Sequence, residues 1–399
     1  MTVTEKELTN HTYIDHELSA NLDSAEAFEG PEKLLEIWFY ADAQDIPEPR
    51  GTKKTLRDIE VAKWVEILKL VKCEVLSVRS TAVMDAFLLS ESSLFVYDHK
   101  ITLKTCGTTT TLLCLQLLFD TINTELGWDV CKRIESTGKY FPYKVFYSRR
   151  CFMFPLKQRS IHKNWSNEVD YLNTFFSCGR SYLVGRNDES NHWNLYVTET
   201  NKSMVQKAKS EDPDETLEIL MTGLDHERAK QFIRKRGLCE QQTAEKSEED
   251  EGHMLGFNIT KSTKLDLVYE NNIKAAFHHD AFAFTPCGYS ANMMLDEEYY
   301  YTLHVTPEKG WSYASFESNV PVAKISQGKQ DNVQVLNHVL QVFQPNDFCV
   351  TFFTKDDLKE SYSRYMQIGE QVPGYSRRDR IIYDLEDYQL LYMRFERSL

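Results

Sequence analysis

Two strand-like runs separated by a short polar turn, SLFVY-DHK-ITLKTC at the end of residues 92–106, commit this stretch to a β-hairpin. With the turn centred on His99, Ser92 falls opposite Cys106. Directly opposed residues share a face, with Cβ atoms about 4.5–5.5 Å apart. A second segment, CGYSANMMLDEEYYYTLHVTPE, repeats the pattern at residues 287–308. Centred on Glu297, it sets Ser290 opposite His304, and His304 shares its face with Tyr300, Thr302 and Thr306. A slip of one residue would reverse either face. A Ser–Cys pair in a sheet is ordinarily small-residue packing, and a lone strand histidine is ordinarily structural. Spacing by itself therefore leaves packing and catalysis both open.

Strands dominate elsewhere. Strand-like runs cover residues 73–79, 95–105, 193–198, 299–306, 348–353 and 390–395, and helical periodicity covers 58–71, 108–126 and 332–343. VAKWVEILKLVKCEVLSV and VLNHVLQVFQPNDFCVTFF each run from amphipathic helix into strand. The pair suggests an internal duplication, and the mixture gives a strand-rich α+β class. Residues 1–23 are polar and read as a disordered extension, residues 41–56 as a loop. CEQQTAEKSEEDEGH (239–253) is acidic and poor in large apolar residues, which predicts a disordered surface loop.

With 46 Lys and Arg against 60 Asp and Glu, the formal charge is −14. Such a surface repels phosphate backbones and anionic lipid, which argues against nucleic acid and membrane partners and favours cationic ligands. The nine cysteines are odd in number, widely spaced and without a C-x-x-C pair. They read as reduced thiols rather than a disulfide framework or zinc site. No apolar leader or long apolar run occurs, so the expectation is a cytoplasmic protein. His278, His279 and Asp280 could suggest a metal, but adjacent strand histidines point to opposite faces, so no metal site is expected.

Several rarer blocks carry more information. LSESS (89–93), LKTCGTT (103–109), FEGPEKLLEIWF (28–39), PCGYSAN (286–292), HVTPE (304–308) and SYASFE (312–317) together resemble the eukaryotic S-adenosylmethionine decarboxylases, the fungal type most closely. The resemblance implies a four-layer α-β-β-α sandwich with two facing antiparallel sheets, spanning residues 24–399. It also implies self-cleavage between Glu91 and Ser92, giving a β chain (1–91) and an α chain (92–399). Attack by Ser92 Oγ on Glu91 gives an ester, and elimination and hydrolysis leave a pyruvoyl group as the cofactor. A serine is required because its β-oxygen is first the nucleophile and then the leaving group.

The same resemblance assigns roles. His304 becomes the base of the elimination and Ser290 its companion. Cys106 returns a proton to the decarboxylated carbon; misdelivery to the pyruvoyl carbon would leave alanine and a dead enzyme. Phe28 and Phe284 match rings that sandwich adenine, although core packing is the ordinary reading of either alone. Glu308 matches the carboxylate that holds the ribose hydroxyls, and Glu29 and Glu32 match acids near the sulfonium and reacting centre.

Glu32 and Glu36, four apart, share a face, as do Asp214, Thr216 and Glu218 in a strand. With Glu317 and the linking Lys104, these residues match a putrescine-binding site; a solvated acidic face is the plainer reading of DPDETLE. A dimer of αβ units is a partner state that the sequence leaves open. A non-catalytic regulatory paralogue or scaffold of the same fold is the alternative function.

Overall fold

The computed structural model describes residues 28–48, 53–90, 92–186, 192–204, 214–233, 248–269, 277–355 and 372–398. The expected extension (1–23), Glu91 and residues 239–247 of the acidic loop lie outside them. The chain forms two compact units, residues 31–212 and residues 1–30 with 213–399.

The 31–212 unit holds β1 (Lys33–Trp38), β2 (Val75–Ser80), β3 (Met84–Leu89), β4 (Ser92–Tyr97), β5 (Lys100–Thr105), β6 (Lys144–Arg150), β7 (Gly179–Val184) and β8 (Trp193–Thr198). Its helices are α1 (Val61–Val71), α2 (Leu115–Leu126) and α3 (Trp165–Phe175). The other unit holds β9 (Glu215–Thr222), β10 (Phe277–Ala283), β11 (Tyr289–Leu295), β12 (Tyr299–Thr306), β13 (Tyr313–Ser318), β14 (Asp347–Lys355), β15 (Tyr375–Leu385) and β16 (Tyr388–Arg397). Its longer helices are α4 (Glu248–Thr263) and α5 (Asn332–Phe343).

Each unit contains one eight-stranded antiparallel sheet, and the strand orders are the same: β2-β3-β4-β5-β1-β6-β8-β7 and β10-β11-β12-β13-β9-β14-β16-β15. The duplication is therefore real at the level of topology. The expected repeat nonetheless paired the wrong elements. In order, α1 and β2 correspond to α4 and β10, whereas α5 and β14 correspond to α2 and β6. The two quoted segments look alike because in both an amphipathic helix passes into its strand across only three residues, 72–74 and 344–346, whereas α2 and α4 are followed by longer connections.

Helix chemistry is local. α1 buries Trp64, Ile67, Leu68 and Val71, a single stripe at helical spacing, and stops at Lys72 in the left-handed region (φ 68°). It starts later than residue 58 because Leu56–Asp58 form a 3₁₀ turn first. α5 opens with a capping box between Asp331 and Gln334. The apolar faces of β1, β4, β5 and β6 pack with α1, α2 and α3 into one core, and those of β9, β11–β14 and β16 with α4 and α5 into another.

The acidic stretch differs from expectation at its end. Residues 248–253 open α4 and are not loop. Two glycines explain how so polar a segment docks on a sheet. A Cβ at Gly256 would lie 2.6 Å from backbone atoms of Ala281 and Phe282, and one at Gly252 2.3 Å from the Phe282 ring. The helix settles directly onto β10, with Ile259 fully buried. A scan for large apolar residues does not register contact made by absent side chains.

Candidate active site

In the 31–212 unit, the chain turns from β3 into β4 at Ser90, whose amide and hydroxyl bond Glu74 (2.9 Å each). Ser92 opens β4. It is fully buried, its φ is 129°, and its Oγ makes no hydrogen bond among the described residues. The predicted partner is corrected by one position: Ser92 pairs with Thr105, and Ser93 with Lys104. The turn between β4 and β5 has two residues, Asp98 and His99, not three centred on His99. Cys106 lies one residue past β5 and is buried.

The turn after Cys106 is tightly bonded. Thr109 Oγ1 donates to the Cys106 carbonyl (2.7 Å) and lies 3.1 Å from Thr105 Oγ1. Gly107, at φ 64°, offers its carbonyl to Lys33 Nζ (3.1 Å) and Gln158 Nε2 (3.3 Å). Alongside lies a buried charged cluster that sequence reading missed. Glu168 accepts from Arg149 Nε, Tyr147 Oη and His162 Nδ1, each at 2.6 Å. Burial disfavours a charged imidazole and lowers the His162 pKa despite Glu168. Burial pushes Glu168 upward, but Arg149 and His162 outweigh it and hold the carboxyl below its ordinary value.

On the opposite face of the same sheet, Glu32 pairs with Lys104 (3.7 Å), both buried. Glu36 accepts from Thr102 Oγ1 (3.0 Å) and from the indole of Trp38. β1 thus brings Glu36 opposite Thr102 and Leu34 opposite Lys104.

In the other unit, the second predicted register holds. Ser290 pairs with His304, and Ser290 Oγ lies 3.0 Å from His304 Nδ1. The three-residue turn from β11 to β12 keeps Glu297 at its centre, with Asp296 and Glu297 at positive φ. Thr302, two residues before His304, shares its face, and the structure gives it a hydrogen-bonding part that the sequence does not signal. Its Oγ1 lies 2.8 Å from His304 Nε2 and donates to the Ala291 carbonyl (3.0 Å) or Asn292 Oδ1 (3.1 Å). With the threonine proton so used, Nε2 carries the ring proton and Nδ1 is left as the acceptor facing Ser290.

Phe28 N donates to Glu308 Oε2 (3.2 Å), so the residues preceding β1 are tied to the loop after β12. Gly30 permits this approach, since a Cβ there would meet Tyr313 Cβ at 2.4 Å. Glu29 is buried. Phe284 is half-buried and packs at 4.9 Å from Phe282. Burial and the nearby Glu308 carboxylate push the Cys287 thiol up to about 11, so it stays neutral.

The acidic residues of β9 and β13 also meet. Glu218 and Glu317 are directly paired and buried. Thr351 Oγ1 donates to Glu218 (3.2 Å), Tyr300 Oη to Glu317 (2.8 Å) and Tyr388 Oη to Asp214 (2.7 Å). Thr216, half-buried, continues the row. Two carboxylates at adjacent, facing positions in a buried setting favour a cation between them.

Comparison with known proteins agrees with this reading. The model of the family described as adenosylmethionine decarboxylase matches residues 25–396. The Saccharomyces cerevisiae protein named S-adenosylmethionine decarboxylase proenzyme is 60% identical over 403 aligned positions, covering 100% of both chains. The Xenopus laevis protein of the same name is 34% identical over 373, covering 93% of this chain and 96% of its own. The solved Trypanosoma brucei AdoMetDC-delta26 monomer shares the fold, with a TM-score of 0.51 at 23% identity over 77% of this chain and 99% of that one.

Proposed function

The chain belongs to the adenosylmethionine decarboxylase family, and we propose that it is a proenzyme that cuts itself between Glu91 and Ser92 and then decarboxylates S-adenosylmethionine. The observation that carries this reading is Ser92 itself. A buried hydroxyl without a hydrogen bond among the described residues, on a non-glycine residue at φ 129°, costs about 1–3 kcal/mol for the backbone alone. That cost raises the reactant toward the transition state of its own reaction, and these residues fit the formation of a pyruvoyl group.

Ser92 Oγ attacks the Glu91 carbonyl carbon, the C–N bond breaks, and the acyl group passes from nitrogen to oxygen. Ser290 donates to the oxyanion of that step. His304, through Nδ1, takes the Cα proton of Ser92, and the Glu91 carboxylate leaves with the serine oxygen. Water then releases the nitrogen as ammonia. The strands β1–β3 fall in the β chain and β4 onward in the α chain, and the ladders β3–β4, β1–β5 and β1–β6 hold the two together after the cut.

Once formed, the pyruvoyl group supplies an electrophilic carbonyl that takes up the substrate amine and draws off the electrons released with CO2. Phe28 and Phe284 stack the adenine, Glu308 accepts from the ribose hydroxyls, and Glu29 and Glu32 face the sulfonium and the reacting centre. Cys106 delivers a proton to the substrate carbon. The product is the aminopropyl donor for spermidine and spermine synthesis. Putrescine, held by Glu36, Asp214, Thr216, Glu218 and Glu317 and linked through Lys104, acts as activator. A cytoplasmic setting and a dimer of αβ units complete the proposal. No helix among the described residues is long and apolar enough to cross a membrane.

Denaturing electrophoresis with intact-mass measurement tests the core of this. The expected result is two chains, the larger lacking a free amino terminus, and one uncut chain for Ser92→Ala. A wild-type chain that stays whole, keeps an unmodified Ser92 and turns over fully defeats it.

A further inference from the structure

Ser92, Thr105, Lys33, Arg149 and Asn194 form a single row of directly paired residues across β4, β5, β1, β6 and β8. The duplicated topology provides an internal control. The same row in the other sheet, taken from the last pair of β13 with β9, reads Tyr301, Ser318, Leu217, Phe352 and Leu391. Four of those five residues belong to the hydrophobic core. The topology is therefore satisfied by apolar side chains in this row. In the 31–212 unit it instead holds a lysine and an arginine side by side, the lysine fully buried.

Arg149 is accounted for by Glu168 (2.6 Å). Lys33 points its ammonium at the Gly107 carbonyl (3.1 Å) with the Phe152 ring centroid 5.0 Å away. That carbonyl belongs to the Gly107–Thr108 peptide unit, the second one after the Cys106 Cα. Gln158, also buried, donates to the same oxygen, and Thr109 holds the Cys106 carbonyl one unit earlier. Gly107 sits at φ 64°. The direction in which the Cys106 side chain leaves the strand end is set by the peptide planes on either side of it: Thr105 is still paired in the sheet, and Thr109 holds the Cys106 carbonyl. Lys33 and Gln158 hold the next plane, across Gly107, whose backbone would otherwise be the loosest in the turn. A charged donor fixes a carbonyl more firmly than a neutral one.

We infer that Lys33 is a positioning residue for the thiol of Cys106: by holding the Cys106–Gly107 turn, it aims the proton at the substrate carbon. This rests on the proposed role of Cys106 as proton donor. The correct outcome adds the thiol proton to the carbon that lost CO2, and water then frees the amine product. The wrong outcome adds a proton to the former keto carbon, and water releases an aldehyde and leaves the α chain starting with alanine. Loosening the turn shifts the balance toward the second.

The test uses the full chain carrying Lys33→Met, Lys33→Arg or Gln158→Met. Two readouts are followed. One is N-terminal sequencing of the α chain after a fixed number of turnovers, since a pyruvoyl-capped chain is blocked and an alanine-capped chain is not. The other is alkylation of Cys106 by iodoacetamide without substrate, with the exposed Cys178 as reference. For Lys33→Met the expected results are two chains, a kcat about tenfold lower with KM within about twofold, alanine per turnover about tenfold higher, and Cys106 alkylated about fivefold faster relative to Cys178. Lys33→Arg restores most of the parent alanine fraction. Gln158→Met, which spares the lysine, moves both readouts in the same direction by about two- to threefold, and it decides the matter if Lys33→Met does not fold. Parent-like alanine and alkylation in a folded Lys33→Met, or in Gln158→Met where the first variant is lost, overturns the inference. A parent chain that is never cut, or whose α chain is open from the start, instead defeats the pyruvoyl reading and is seen before any variant is compared.

Discussion

Replacing Thr302 with valine tests how the base of self-processing is prepared. Valine keeps the shape but removes the hydroxyl that lies 2.8 Å from His304 Nε2. In the parent, Nε2 holds the ring proton against that oxygen and Nδ1 is the acceptor that faces Ser290 at 3.0 Å. Without the oxygen, a buried N–H is left unpaired, which costs about 1–3 kcal/mol. The ring then prefers its other tautomer, with the proton on Nδ1 donated to Ser290. At about 1.4 kcal/mol per tenfold, the base-competent tautomer falls by about 5- to 150-fold, and removal of the Ser92 Cα proton slows with it. The acyl shift that precedes this step does not use that base, so an ester should accumulate. Freshly synthesised precursor is followed on denaturing gels with and without hydroxylamine, which cleaves esters and spares amides. Thr302→Val should stay one band without hydroxylamine and become two with it. Loss of the bond to Ala291 or Asn292 should also lower Tm by several degrees, so folding is checked on the same sample. Appearance of two chains at the parent rate, or slow cutting with no hydroxylamine-sensitive species, refutes the tautomer argument.

Three other outcomes are expected. Glu317→Gln removes one member of the facing carboxylate pair with Glu218 and should abolish putrescine stimulation of decarboxylation; a parent enzyme with normal turnover and a flat putrescine response removes that site altogether. His162, fully buried with its pKa lowered by desolvation, resists protonation when folded but takes a proton near pH 6.5 when unfolded. Its contribution is thus constant above that value and stability falls by about 1.4 kcal/mol per pH unit below it; denaturant melts between pH 7 and 5 should show the slope, and His162→Gln should flatten it. Gly256→Ala forces a Cβ to within 2.6 Å of the β10 backbone and should destabilise by about 1–3 kcal/mol; an unchanged Tm would show that α4 does not rest on β10 as described.

Legibility in the sequence varied with the physics of each feature. The Ser290–His304 pair could be read because its turn has three residues and Glu297 at the centre. The Ser92 partner was displaced because a two-residue turn changes the parity of the whole ladder, and DHK does not announce which of its residues belongs to the strand. Thr302 was visible as a face-sharing neighbour of His304, but not as a hydrogen-bond partner. Lys33 gave no signal, because a lysine at a strand start reads as exposed. Its burial depends on β5 and β6 closing over it from either side. The opening residues of α4 read as disordered because composition measures side chains, while their docking depends on two glycines lying against a distant strand.

The amino-acid order alone determined the strand-rich class, the helices α1, α2 and α5, the hairpin carrying Ser290 and His304, and the family blocks around Ser92. These are short-range features, set by periodicity, turn length and residue chemistry within a few positions. Only the tertiary structure decided that both units share one strand order, that Glu218 faces Glu317, and that Lys33 grips the turn after Cys106. Those facts arise where strands far apart in the chain become neighbours, and no local pattern encodes which distant residue will fill the adjacent position.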